Sequence, residues 1–365
     1  MMLEDTRPAL RIAHDAATPA ERWRALRASE ADWQAFRAMC EALRGTYFGF
    51  PVQRWLAWGL YHTVYRKVGS FLADSDFLAD EVGVMSRAEM AIMQRQYTFA
   101  HLASNFVKPG CSSTCVRTAE GWRLMRSLDW GNLNVMAPAV RAYEYVNTAG
   151  GVTHTAGVQG MVGVLTFCRK GLAGSINFAP NPKSLTPIGR GIDPLFLLRL
   201  LVEDPSIDTL EAAVELITRT KLSAPVFITL CSDKSDAAAV IEIARDGRYN
   251  VRLAKDGLLV QTNHFDPNGP FGEQNPTRVM QDGSPWEWYY SDLLENSQRR
   301  SADLEQRLRH MVGAPATDVE VACREAYSVP PTWNHESIYW TFAAPGEGSM
   351  KLWVRDCAGD YPHAI

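Results

Sequence analysis

The sequence changes character at residues 108–116, which read Lys-Pro-Gly-Cys-Ser-Ser-Thr-Cys-Val. Before this stretch, apolar residues recur at spacings of three and four, the periodicity of an amphipathic helix. After it, short runs rich in β-branched and aromatic residues alternate with turn residues, as is typical of β-strands. Because proline and glycine interrupt helices, Pro109-Gly110 predicts the boundary between a helical leader and a β-rich body that begins with Cys111.

Signals for the start of a helix support this view of the leader. Thr18 followed by Pro19 fits an N-cap with proline at the first helical position. Ser86 with Glu89 three residues later fits a capping box. The predicted helices of the leader begin at Thr18 and Ser86 and also cover residues 30–43 and 53–66. Their apolar faces are expected to be buried; the side chains that mark these faces are Trp33, Phe36, Leu43, Trp55 and Leu60.

The body reads as strands, two helices, strands, two helices and a terminal hairpin. Predicted strands cover residues 123–129, 135–146, 152–155, 161–168, 172–178, 226–231, 238–244, 249–253 and 258–263, and the hairpin covers 337–344 and 350–354. Predicted helices cover residues 194–202, 208–221, 286–295 and 302–312. This order predicts the α+β class, with two sheets sandwiched between helix layers.

Composition excludes several classes of protein. The 365 residues are 46% hydrophobic and 21% charged, which is typical of a globular chain. A net charge of −4 gives no electrostatic reason to expect a nucleic-acid partner. No run approaches the roughly 18 apolar residues of a membrane span, and residues 1–18 lack the apolar core of a secretory signal. We therefore expect a cytoplasmic protein whose seven cysteines are reduced.

The residues that suggest chemistry follow the boundary. If two strands meet at a turn near Glu120-Gly121, Arg126 and Asp129 return to the side of Cys111. A cationic neighbour favours the reactive thiolate of a cysteine, and a carboxylate can orient or receive a proton. Histidine could also serve as the base if the fold brings one close; the candidates are His101, His154 and His264. Alternatively, a nucleophile at a chain start can use its own α-amino group.

The block Cys111–Trp130 resembles the choloylglycine hydrolase and acid ceramidase superfamily of N-terminal-nucleophile hydrolases. In that family a nucleophilic cysteine precedes small hydroxyl residues and then an Arg-Asn-Leu/Met-Asp-aromatic block. Here the block reads Arg-Ser-Leu-Asp-Trp from Arg126, with Ser127 at the Asn position and one residue less between it and the cysteine. Further similar blocks follow in the same order along residues 85–360: residues 163–178, 218–225, 260–263 and 353–357.

This resemblance implies roles for matched residues. Cys111 would be the nucleophile, with its freed α-amine as the base. Asp129 would hold that amine, and Arg126 would stabilise nucleophile and substrate. Asn263 would stabilise the oxyanion, with Asn177 as a second candidate donor.

A further catalytic match is Arg278. The structural alternatives are a surface ion pair for Arg126 and Asp129, a strand-ending turn at Asn263 and a solvated loop at Arg278. The aromatic cluster in residues 286–290 could line an acyl pocket, but packing on the sheet is the simpler interpretation. Cys115 completes a Cys-x₃-Cys spacing with Cys111, but no second pair with ligand spacing accompanies it, so no metal site is predicted.

The resemblance implies an αββα sandwich, residues 111–365, preceded by a helical prosegment, residues 1–110. It also implies self-cleavage before Cys111, with the two fragments staying together as a heterodimer. The expected reaction is hydrolysis of an N-acyl amide with an apolar acyl chain, such as a ceramide or N-acylethanolamine, through a thioester and without a cofactor. Two alternatives remain open: an acyltransferase of the isopenicillin N acyltransferase type, and a non-enzymatic relic that binds lipids.

Overall fold

The computed structural model describes residues 1–65, 71–95, 110–130, 133–148, 150–180, 191–244, 246–275 and 285–356. The strands are β1 (Met2–Glu4), β2 (Leu10–Ala13), β3 (Gly110–Thr118), β4 (Gly121–Asp129), β5 (Val140–Val146), β6 (Val152–Val158), β7 (Thr166–Arg169), β8 (Leu172–Phe178), β9 (Val226–Ser232), β10 (Ala237–Ile243), β11 (Tyr249–Leu253), β12 (Leu258–Gln261), β13 (Ser337–Ala344) and β14 (Ser349–Arg355).

The helices lie before, between and after these strands. They are α1 (Pro19–Arg22), α2 (Arg24–Ala28), α3 (Glu30–Tyr47), α4 (Pro51–Thr63), α5 (Phe71–Val82), α6 (Arg87–Met93), α7 (Leu133–Met136), α8 (Pro194–Glu203), α9 (Leu210–Arg219), α10 (Pro285–Leu308) and α11 (Ala316–Tyr327). Within the described ranges, no helix is both long and apolar enough to cross a bilayer.

Two sheets pack face to face in the part of the chain that the structure describes. One has the order β1-β14-β13-β4-β3-β12, and the other β11-β10-β9-β8-β7-β6-β5-β2. Side chains of β3 and β4 pack against those of β8 and β9 between the sheets. Helices α10 and α11 cover the outer face of the first sheet, and α8 and α9 cover the second. These four layers confirm the predicted αββα sandwich.

Local signals located many of the elements. Thr18 and Ser86 cap α1 and α6 as predicted, each within a capping box. The terminal hairpin and β8 have the predicted positions. Other predictions are wrong in their bounds. The strand predicted at 135–146 begins only at Val140, because residues 133–139 are helical, and the strand predicted at 161–168 begins only at Thr166. The helices predicted at 286–295 and 302–312 are the single helix α10, and the leader begins with two strands. Strands of three or four residues such as β1 and β2 are too short to show a periodicity.

The leader shares its core and its sheets with the body. β1 pairs with β14, and β2 pairs in parallel with β5, so the leader contributes an edge strand to each sheet. On α3, Phe36 packs so closely on Gly160 that any Cβ there would clash with its ring. The expected burial holds for Phe36 and Leu43 and is partial for Trp33 and Leu60, but Trp55 is exposed.

A buried carboxylate also joins leader to body. Asp32 lies on α3 and is buried, and its Oδ1 accepts hydrogen bonds from Arg141 Nη1 of β5 and from Gln159 Nε2 at 2.6 Å. Because a buried charge is stable only when paired, this cluster fixes the position of α3 against the second sheet.

We expect Asp32→Ala to lower the free energy of unfolding by about 3 kcal/mol, since it leaves the Arg141 charge buried without this partner. Urea unfolding of the full chain measures the change. The control is Glu41→Ala on the same helix, where an exposed pair with Arg37 should contribute less than about 0.5 kcal/mol. Equal effects of the two variants would contradict the anchoring role of Asp32.

Candidate active site

Cys111 is the second residue of β3, and the chain is continuous across Gly110 and Cys111. The β3–β4 hairpin places Cys111 opposite Leu128 and Gly110 opposite Asp129. The Cys111 side chain is fully buried, and Arg126 Nη2 approaches its Sγ at 3.6 Å. Burial raises the pKa of the thiol above its ordinary value, and the Arg126 charge opposes this shift without cancelling it. The uncut site therefore holds a neutral thiol.

Arg126 lies on the face of the first sheet that is turned toward the second sheet. Its guanidinium donates to the hydroxyl of Tyr339 and to Ile176 O at 3.4 Å, besides contacting the thiol. The Tyr339 ring also lies beside the guanidinium carbon, 5.2 Å from centroid to Cζ. Arg126 and Asp129 are both buried, so the alternative of a surface ion pair is wrong.

Asp129 lies against the peptide that precedes Cys111. A Cβ added to Gly110 would be 3.0 Å from the Asp129 Cβ and 3.1 Å from its Oδ2, so only glycine fits without displacing the carboxyl group. Ser337 Oγ donates to the other oxygen, Oδ1, at 2.8 Å. Burial raises the pKa of Asp129, although the Arg300 charge and the hydrogen bond from Ser337 lower it. The carboxyl group thus keeps its proton at a higher pH than an ordinary aspartate.

Asn263 holds the backbone nitrogen of Cys111. It follows β12, and its Oδ1 accepts a hydrogen bond from the Cys111 N–H at 2.8 Å. Its Nδ2 donates to Phe178 O at the end of β8, also at 2.8 Å. Asn263 therefore cross-links both sheets at the nitrogen that would become the α-amine.

Asn177 braces the segment that leads to Asn263. Its Nδ2 donates to Gln261 O at 2.9 Å and to Thr262 O at 3.2 Å, and its Oδ1 accepts from Ser113 Oγ at 2.7 Å. Its amide donor is therefore already engaged in the uncut chain.

Arg300 is a site residue that the sequence interpretation missed. It lies on α10, and its guanidinium is buried. Nη1 donates to Cys111 O at 2.6 Å and to Ser112 Oγ at 2.8 Å, and Nη2 donates to Asn263 Oδ1 at 2.8 Å. One turn earlier, Ser297 Oγ accepts from the Asn263 N–H at 2.7 Å. Helix α10 thus binds both the backbone and the side chain of Asn263.

The sequence did contain a signal for Arg300. Among residues 294–308 of α10, whose burial the structure describes, the buried side chains lie at helical spacing: Ser297, Arg300, Leu304 and Leu308. An arginine at a position of the apolar face must have buried partners, because burying an isolated charge is costly. Its neighbour Arg299 points to solvent.

The remaining candidates include residues outside the described ranges and three histidines. Arg278 and His101 lie outside the described residues, as do the side chains of 286–290. His154 is on β6. His264 Nδ1 shares a hydrogen bond with Ser297 Oγ at 2.8 Å, and burial lowers its pKa to about 4, so its ring is neutral at pH 7. Among the described residues, no group of three or more side chains could hold a metal ion.

We expect Arg300→Met to destabilise the chain by about 2–4 kcal/mol, because it leaves the buried acceptors Cys111 O and Asn263 Oδ1 without this donor. The matched control is Arg299→Met, in the same helix but exposed, which should change stability by less than about 0.5 kcal/mol. Chemical unfolding of both variants decides the point. If Arg300→Met and Arg299→Met lose the same stability, Arg300 does not anchor α10 to the strand that carries Cys111.

The chain is similar in structure to a protein whose structure has been solved. No family model matches the chain, and no curated protein matches it. The structure of a Caenorhabditis elegans ortholog of N-acylethanolamine-hydrolyzing acid amidase is similar, with a TM-score of 0.52 and 20% sequence identity. The match covers 67% of this chain and 100% of that chain. At this identity the likeness concerns architecture: the chain has the αββα fold of the N-terminal-nucleophile hydrolases.

Proposed function

We propose that this protein is a self-processing cysteine amidohydrolase that cleaves the amide bond of N-acyl substrates through a thioester on Cys111. The observation that carries the proposal is that Cys111 is bound at two points, its backbone nitrogen and its thiol. Asn263 Oδ1 binds the backbone nitrogen of Cys111, while Arg126 contacts its thiol. A cysteine held in this way can provide a nucleophile and, once the preceding bond is cut, an amine already in place as its base. The shared fold supports the same chemistry.

Self-cleavage would begin with attack of Cys111 Sγ on the carbonyl carbon of Gly110. The new S–C bond replaces the C–N bond between Gly110 and Cys111, and the thiol proton passes to the departing nitrogen. Water then hydrolyses the thioester, which releases the Gly110 carboxylate and restores the thiol. Asp129 is suited to relaying this proton from the thiol to the nitrogen, because it lies against Gly110 and burial raises its pKa.

Turnover would then use the freed α-amine. An amine of this kind has an ordinary pKa of about 8, so near neutral pH a fraction is free to take the thiol proton. The thiolate attacks the substrate carbonyl, the amine half leaves with that proton, and water hydrolyses the acyl-enzyme. Arg126 stabilises the thiolate by its charge.

We assign the oxyanion contact to Asn263. Its Nδ2 donates one hydrogen to Phe178 O, and its second hydrogen can be donated to the oxyanion. Asn177 already donates to two backbone carbonyls, so its part would be to hold the segment that carries Asn263. Arg278 remains a predicted contributor from the sequence resemblance.

The proposed substrate class is an amide with an apolar acyl chain. The solved relative is described as acting on N-acylethanolamines, and we transfer the amide class rather than the particular amine. The two fragments would remain a heterodimer, since β1 and β2 of the leader pair with strands of the body.

We expect the purified chain to separate into fragments 1–110 and 111–365 on denaturing mass spectrometry and to elute as one particle without denaturant. Cys111→Ala should stay one chain, because it lacks the nucleophile, and Asp129→Asn should be cut much more slowly. Asp80→Asn, which alters an exposed ion pair, is the control. An active enzyme that remains uncut would refute the use of the α-amine as the base.

We expect the cut protein to release amine from N-acyl amides, and Asn263→Ala to lower kcat by about 10²–10³ with little change in KM, since an oxyanion donor acts in the transition state. Titration of reactive thiols counts the cut molecules, and Asn250→Ala, in a half-buried contact on β11, is the control. A change confined to KM would make Asn263 a substrate-binding residue. Formation of a new amide when an amine acceptor is added would indicate an acyltransferase.

A further inference from the structure

Strand β13 begins with an irregularity beside the proposed site of self-cleavage. Ser337 lies opposite Asp129 of β4, but Tyr339 lies opposite Leu128, so Ile338 is an extra residue on β13. An insertion of this kind is a β-bulge, which turns a side chain to the other face of the sheet. In a regular strand Ser337 would share a face with Tyr339, away from Asp129. The bulge therefore brings the Ser337 hydroxyl to the Asp129 carboxyl group.

Ser337 is held in place by its backbone and by its side chain. Its Oγ accepts a hydrogen bond from the Asn334 N–H at 3.2 Å and donates one to Asp129 Oδ1 at 2.8 Å. Arg355 Nη1 binds the same turn, since it donates to Asn334 O at 3.0 Å and to Ser337 O at 3.4 Å. Oδ1 of Asp129 thus meets a donor in a fixed position.

The two oxygens of the Asp129 carboxyl group differ. Oδ1 accepts the hydrogen bond from Ser337, whereas Oδ2 is buried and has no hydrogen-bond partner in the ranges that the structure describes. Oδ2 is also the oxygen nearer to Gly110, 3.1 Å from the position of an added Cβ. Because the carbonyl oxygen of a protonated carboxyl group is its better acceptor, a hydrogen bond to Oδ1 favours the proton on Oδ2.

Charges act on Asp129 from several elements. The titratable and charged groups around it are Arg300 of α10, Arg126 of its own strand, Cys111 of β3 and, acting on Arg300, Glu336 of the turn. Burial raises the pKa of Asp129, and the Arg300 charge is the largest effect that opposes this. Charges favour the ionised carboxyl group as a whole, whereas a hydrogen bond to one oxygen also distinguishes the two oxygens.

We propose that Ser337 directs the proton of Asp129 to Oδ2 and is thereby a positioning residue for self-cleavage. This inference rests on the proposed function, in which Asp129 relays a proton from the Cys111 thiol to the nitrogen of the breaking bond. As the S–C bond forms and the C–N bond breaks, Oδ2 passes its proton to that nitrogen and the carboxyl group takes the thiol proton. With Ser337 on Oδ1, the proton to be delivered starts on the oxygen beside Gly110.

The hydrogen bond can be tested without any cutting. In the Cys111→Ala chain, labelled with carbon-13 at the aspartate carboxyl groups, the NMR signal of Asp129 is identified by its loss in Asp129→Asn. Ser337→Ala should raise the pKa of Asp129 by about one unit, because the hydrogen bond stabilises the ionised form. Ser337→Thr keeps the hydroxyl and should keep the wild-type pKa. The control is Ser349→Ala, which removes a hydroxyl that donates to the exposed Glu347 carboxylate at 3.1 Å.

Self-cleavage is measured on chains that retain Cys111, as the initial rate after cell-free synthesis across a range of pH. We expect Ser337→Ala to be cut about tenfold more slowly, because the proton no longer starts beside Gly110. The pH at which the rate falls as Asp129 loses its proton should rise by about one unit, in step with the pKa. Ser337→Thr and Ser349→Ala should match the wild-type rate and pH dependence.

The outcomes separate positioning from a structural role. Loss of stability alone would lower the melting temperature of Ser337→Ala and leave the pH dependence of cutting unchanged. An unchanged pKa of Asp129 in Ser337→Ala, or cutting of that variant with the wild-type rate and pH dependence, overturns the proposal. A wild-type chain that is never cut would count against the proposed function instead, and the pKa measurement would still decide whether Ser337 binds the Asp129 carboxylate.

Discussion

The hydrogen bond from the Cys111 N–H to Asn263 Oδ1 fixes the geometry of the whole site. Both residues are buried, and a buried polar group that loses its partner costs about 1–3 kcal/mol, so the start of β3 must meet the segment that follows β12 in one register. Arg300 shares the same Asn263 oxygen and also binds the Cys111 carbonyl. The position of one peptide group thus constrains two strands and a helix.

The alternation of side chains along β3 divides the chemistry between the two faces of the first sheet. Cys111 and Ser113 face the second sheet, where the thiol meets Arg126 and Ser113 meets Asn177. Ser112 faces α10 and binds Arg300. A cation therefore approaches Cys111 from each side, one at its thiol and one at its carbonyl. This arrangement supports a role for Arg126 in thiol reactivity and for Arg300 in holding the backbone.

Which site residues could be predicted from the sequence depends on how far they lie from Cys111 along the chain. The hairpin that returns Arg126 to Cys111 is local, and turn residues and strand alternation predicted it. Arg300 lies 189 residues from Cys111, and only the packing of α10 on the sheet brings it there. Helical periodicity likewise identified the apolar side chains of α4 but could not tell that Trp55 faces solvent, because the same pattern fits a buried and an exposed face.

Two structural features of the leader bear on the proposed cut. Its strands β1 and β2 complete the edges of both sheets, while α4 turns an apolar surface outward. Because β3 is paired with β4 from Gly110 to Thr118, breaking the bond before Cys111 would leave every later pair of that ladder in place. The Cys111 nitrogen is already bound to Asn263, so the proposed base would form where it is needed, without refolding of the strand.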